Sequence, residues 1–179
     1  RCFEDLGGEG GLACCANARG EIARCRGNFD EAIEYYRRSE QLARQNGMGH
    51  LSMGRLNIGL TLVMLGGFAE AMRVLMEVAE GCARRNSRRA LLYIRAGLMA
   101  AAAGLQNWRM AEKWLGEVLD GLDAVGSHAC DLGRVFEVAG DAMEAGGRRR
   151  MAGVCRRLAI RQWRGLERTE RAERLERKS

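Results

Sequence analysis

The chain has 179 residues, a formal net charge of +6, 47% hydrophobic and 29% charged side chains. That suffices for one ordinary domain or a short solenoid. It excludes a membrane-spanning helix, because the longest weakly polar run, GLMAAAAGL at 97–105, is half the roughly 18–20 residues needed. Proline is absent and Gly numbers 24, while Leu, Ala, Met, Arg and Glu dominate. An all-helical chain with turns of Gly, Asn and Ser follows.

The chain begins RCFED, with neither an initiating Met nor a secretory signal, and reads as a piece of a longer protein. Residues 1–10 read as the end of a preceding unit running into a turn. Apolar periodicity then predicts helices over 11–26 and 28–45, separated by the Gly27–Asn28 turn. Asn28 can cap the second of these, with Glu31 completing a capping box. Further pairs are expected over 50–65 and 67–85, then 88–105 and 107–124. The last pair is expected over 128–145 and from 148 to the mid-170s.

These pairs are copies of one unit. GNFDEA at 27–32 returns as GGFAEA at 66–71, QNWRMA at 106–111 and GRRRMA at 147–152, at offsets of 39, 40 and 41. Gly20 recurs as Gly59, Met99 and Gly140, and Tyr36 as Leu75, Leu115 and Arg156. A fixed period near 40 is the mark of stacked supersecondary units. Glycine inside a helix costs about 1 kcal/mol relative to Ala, which close helix approach can offset. Ala32, Ala71, Ala111 and Ala152 are the expected contacts opposite these glycines, and Phe29, Phe68 and Trp108 fill the gaps between units.

The pattern resembles the tetratricopeptide repeat in a long form. The resemblance is carried by Gly20/Gly59/Gly140, the turn glycines Gly27/Gly66/Gly147, the three aromatics and the four alanines. It implies an all-α solenoid of antiparallel helix pairs in a right-handed superhelix. The four units are 11–48, 49–87, 88–127 and 128–165, followed by a charged helical extension over 166–179. Similar repeats occur in bacterial signalling ATPases and kinases, so a regulatory module of such a protein is implied, in the cytoplasm. Met99 in place of Gly, and Arg149 and Arg156 in place of large apolar groups, depart from the pattern. Met99 implies different packing in unit three, and the two arginines mark unit four as a terminal cap.

The family pattern also implies a concave groove lined by the first helices, holding a protein or peptide. Its groove-facing positions are Asn17, Glu21 and Arg24 in unit one and Met53, Leu56, Asn57, Leu60 and Met64 in unit two. Tyr93, Ala96 and Ala100 follow in unit three, then Arg134, Glu137 and Asp141 in unit four. The competing reading packs Met53, Leu60 and Met64 between helices. Glu21 and Leu60 stand where the family's clamp for a peptide carboxylate needs Lys and Asn, which argues against a chaperone-tail receptor.

Other chemistry is thin. Seven cysteines without CxxC, and two His, give no metal-ligand spacing and read as small buried thiols in a reducing compartment. GGEGG at 7–11 follows no strand and reads as a turn, and Cys14–Cys15 as two packing residues. With no phosphate loop and no HExxH, no enzyme, cofactor or metal site is expected. Residues 148–179 hold 12 basic and 4 acidic side chains. The alternative function is therefore a nucleic-acid-binding C-terminal helix in a transcription-regulator fragment. Against it, Glu167, Glu170 and Glu173 precede Arg171, Arg174 and Arg177 by four residues, the spacing of a self-supporting solvated helix.

Overall fold

A computed structural model describes residues 9–45, 53–125 and 128–177. The described residues form nine helices and no strand. In order these are α1 (Glu9–Arg26), α2 (Phe29–Gln45), α3 (Met53–Met64), α4 (Phe68–Arg84), α5 (Arg88–Gly104), α6 (Trp108–Val125), α7 (Cys130–Ala145), α8 (Arg149–Gly165) and α9 (Thr169–Glu176). From α1 to α6 each helix packs on the next, α7 packs on α5 and α8 rather than on α6, and α9 packs on α8, an all-α solenoid of helix pairs.

One turn builds the joints. Gly27, Gly66, Asn86, Gln106, Gly147 and Glu167 all take positive φ, between 50° and 89°. At each, the next residue's N–H reaches back five residues, as in Asn28 to the Ala23 carbonyl (2.9 Å) and Arg168 to the Trp163 carbonyl (2.8 Å). The left-handed residue itself bonds three back, as Gly27 does to Arg24 (3.1 Å). This is the Schellman closure, which satisfies helix-end carbonyls and forces a reversal. Glycine is free of strain there; Asn86, Gln106 and Glu167 adopt it as L-residues.

The turn at Glu167 divides the segment that the sequence predicts as one helix from 148 to the mid-170s. α9 folds back on α8 and buries Ala172 and Leu175. Its charges follow: Arg171 and Arg174 bind Glu137 of α7, and Arg164 of α8 binds Glu176 (2.5 Å). The expected i,i+4 pairing inside the segment gives way to tertiary pairs. Asn28 also departs from expectation. Its Nδ2 donates to Glu31 Oε2 (3.2 Å), and the comparable capping bond forms in unit three, from the Met110 N–H to Asn107 Oδ1 (3.2 Å).

The first helices carry the core. α3 and α5 are buried on nearly every side, from Leu56 to Val63 and from Ala96 to Ala103. The second helices α2, α4, α6 and α8 bury one face and expose the other. The small residues act one turn away from the expected contact. A Cβ on Gly20 would meet the Tyr36 ring at 2.5 Å, and one on Gly59 would meet Leu75 at 2.6 Å. Each is the residue four after the unit's alanine. In unit four, where Arg156 replaces the large group, a Cβ on Gly140 would instead lie 3.6 Å from the Ala152 carbonyl oxygen. Met99 is fully buried in unit three.

Ala71 is wholly enclosed and Ala69 is exposed. Ala71→Leu is expected to cost about 1–3 kcal/mol through overpacking, and Ala69→Leu much less. Chemical denaturation of the two variants checks the register; equal losses would refute it.

Candidate functional site: the concave face

The groove positions expected from the sequence lie on the first helices α1, α3, α5 and α7. The superhelix curls far enough for α7 to touch α3, two units back, and for α1 to reach α7. Arg24 lies at this closure with 3% of its surface exposed. Its Nη2 meets Asp131 Oδ2 of α7 at 2.7 Å, and its Nη1 donates to Asn57 Oδ1 of α3 at 3.3 Å. Asn57 Nδ2 donates in turn to Asn17 Oδ1 (2.9 Å), and Asn17 Nδ2 to Glu21 Oε1 (2.9 Å). The guanidinium also lies over the Tyr36 ring at 5.4 Å. Burial raises the Asp131 carboxyl above its usual range, and Glu21 adds to this; Arg24 opposes the shift without overcoming it.

Arg134 completes the joint by donating to the Arg24 carbonyl (3.1 Å) and the Cys25 carbonyl (2.9 Å). These belong to the last turn of α1, whose free carbonyls attract a cation. The Arg134 guanidinium lies 5.9 Å from the centre of the Phe29 ring.

A second hub lies beside the first. Glu137 accepts from Trp163 Nε1 (2.5 Å) and from Arg171 Nε (2.7 Å) and Nη2 (3.1 Å). Arg171 stacks over the Trp163 ring at 4.3 Å, and Gly133 leaves the space that the ring fills. The Ala129 N–H, ahead of α7, is taken by the buried Gln162 of α8 (2.9 Å). Between the hubs a cavity of about 620 Å³ is lined by Cys25, Cys130, Arg134, Trp163 and residues 167–171.

The predicted positions thus divide. Arg24, Asn57 and Leu60 are closed off, Leu60 at 1% exposure, together with Leu56, Ala96 and Ala100. Asn17, Met64, Tyr93, Arg134 and Glu137 are half-buried, with Met64 and Tyr93 packed against the core. Glu21, Met53 and Asp141 are exposed, Met53 at 54%. For Leu60 the packing reading describes its surroundings. Asp131, Trp163 and Arg171, which make the two hubs, were not singled out in the sequence as site residues. No local pattern marks Asp131, whose role depends on a contact with a residue 107 positions away.

The cysteines are mixed. Cys82 and Cys155 are buried, and burial pushes the Cys155 thiol up to about 12. Cys14 and Cys25 are exposed, against the expectation of buried thiols, and Cys2 lies outside the described residues. Among the described residues no group of three or more metal-ligating side chains occurs, and no helix is long and apolar enough to cross a membrane.

Removing one member of a buried pair strands the other. Arg24→Ala is expected to cost about 3 kcal/mol, whereas Arg24→Met with Asp131→Leu should cost less than Arg24→Ala alone. Urea denaturation of the three proteins checks this. A further outcome concerns α9: Glu137→Ala should speed amide exchange over 169–176 while leaving α5 protected, since it removes that helix's tether.

The repeating helix pairs and the Schellman joints agree with a comparison to known families. Residues 11–84 match the family described as Tetratricopeptide repeat. No curated protein matches the chain. Tetratricopeptide repeats serve in general as scaffolds for protein–protein interaction, and the stacked pairs beyond residue 84 continue the same build to α8. Over residues 11–84 the chain is similar to tetratricopeptide repeats.

Proposed function

We propose that the array holds a protein or peptide partner on its first-helix side, along a row formed by Met53, Tyr93 and Arg134. The observation that carries this reading is the exposure of Met53, a large apolar side chain 54% open to solvent at the start of α3. Tyr93 and Arg134 follow it at 40 and 41 residues, the offsets of the repeat. Stacking therefore sets the three on successive first helices as an apolar, an aromatic and a basic group. Methionine suits an adaptable contact, and Tyr and Arg are the residues in which binding energy concentrates. Glu21 and Asp141 supply charge toward the ends, where it acts mainly on association rate. Asn17, Arg24, Asn57, Leu60, Met64 and Glu137 support the row from within. The resemblance to long-period arrays supports a regulatory role in a larger, kinase- or ATPase-linked signalling protein.

A photo-crosslinking side chain at Met53 should capture the partner, and one at Met76, equally exposed on α4, should not. Equal capture from both positions would overturn the reading. Met53→Ser should weaken binding of the captured partner with little change in melting temperature. Leu60→Ser should lower the melting temperature and leave affinity per folded molecule unchanged.

A further inference from the structure

The outer face of α8 differs from that of every other second helix. α2, α4 and α6 intersperse acids with bases and pair them along the helix, as in Arg44–Glu40, Arg73–Glu77 and Lys113–Glu117. α8, with the sequence RRMAGVCRRLAIRQWRG, contains no acid. Arg150, Arg157, Arg161 and Arg164 are exposed on it at intervals of seven, four and three. At about 100° per residue these spacings place all four on one narrow stripe, and at about 1.5 Å per residue the stripe runs roughly 21 Å. Arg149 flanks one end, and Arg168 lies beyond the other. Arg164 pairs with Glu176, while Arg149, Arg150, Arg157 and Arg168 meet no carboxylate among the described residues. The stripe is also concave at one end: Arg157, Arg161, Arg164 and His128 line a cavity of about 550 Å³, with Glu176, the partner of Arg164, also in its wall.

We propose that this face of α8 binds nucleic acid through its phosphate backbone. A row of guanidinium groups matches closely spaced phosphates, and each can engage a phosphate with two parallel N–H donors. The surface suits other polyanion carriers less well. A protein interface needs an apolar centre, and here the apolar face of α8 (Ala152, Cys155, Leu158, Ala159 and Trp163) is turned into the core. The same burial leaves no apolar wedge to insert into a membrane. Trp163 is buried too, so no aromatic platform on this face can stack bases, and contact runs through the backbone without sequence readout. The stripe shares no side chain with the Met53 row and is tested separately from it; at its end Arg168 lines the same cavity as Arg134.

The experiment is fluorescence anisotropy of a labelled DNA duplex titrated with the full chain across a range of salt concentrations. Affinity should fall linearly on a log–log plot, with a slope of about −0.9 per phosphate engaged. R150Q/R157Q should make that slope shallower by about 1.8 and weaken binding at low salt by at least about tenfold. R37Q/R38Q makes the same charge change on exposed arginines of α2 and should leave both quantities nearly unchanged. Circular dichroism melts confirm that both variants fold, as expected for exposed positions. Absence of duplex binding at low salt, or equal loss in the two double variants, would overturn the proposal. So would tighter binding to polyglutamate or to phosphatidylserine vesicles than to the duplex, which would assign the stripe to an acidic protein or a lipid surface.

Discussion

The Arg24 guanidinium is the point at which the array stops being a row of neighbours. It is enclosed on the inside of the curve and bonded at once to α3 through Asn57 and to α7 through Asp131. Asn57 and Asp131 match its two Nη groups, while its Nε is buried without a hydrogen-bond partner among the described residues, so the charge depends on the positions of three helices from three units. With α7 drawn over α3, the middle of the first-helix face turns into core, and the rim at Met53, Tyr93 and Asp141 keeps contact with solvent or the outer shell.

Much of the architecture was legible in local terms. The Gly27, Gly66 and Gly147 turns were visible because glycine most readily enters the left-handed region, and the helix pairs showed through apolar spacing. The break at Glu167 was missed because no glycine marks it and the flanking Glu/Arg alternation suits a continuous helix. The period carried the missing signal. Asn86 lies at one exit between units; Gly126 follows at 40 residues and Glu167 at 41. One more step of the repeat therefore called for a turn there, and the structure has it.

The site was legible in part. Arg24, Asn57 and Glu137 could be assigned to first helices from apolar periodicity, and they lie on α1, α3 and α7. Their burial was not legible, because it depends on how far the array curls. Small rotations between successive units add up, and a residue pattern within one unit does not encode their sum. Asp131 and Trp163 become important only after that sum brings α7 and α8 into place. The glycine contacts show the same limit at short range: the spacing identified Gly20 and Gly59 as close-approach points, but Tyr36 and Leu75 fill the space in front of them rather than Ala32 and Ala71.

Repeat arrays ordinarily behave as one-dimensional chains in which each unit feels only its neighbours, so that fraying begins at an end and spreads gradually. The bond between Arg24 and Asp131 spans 107 positions and changes that arithmetic. The first described helix and the seventh are joined by this bond and by the two that Arg134 makes to the Arg24 and Cys25 carbonyls, so unit one cannot loosen without disturbing unit four. The array then has the statistics of a closed loop, with a sharper melting transition than its number of units alone would give. Contacts of such long sequence separation form late in folding, after a large loop entropy has been overcome. The same contact makes the spacing between the two helices a discrete constraint: inserting or deleting a helix pair between α1 and α7 would carry Arg24 away from Asp131.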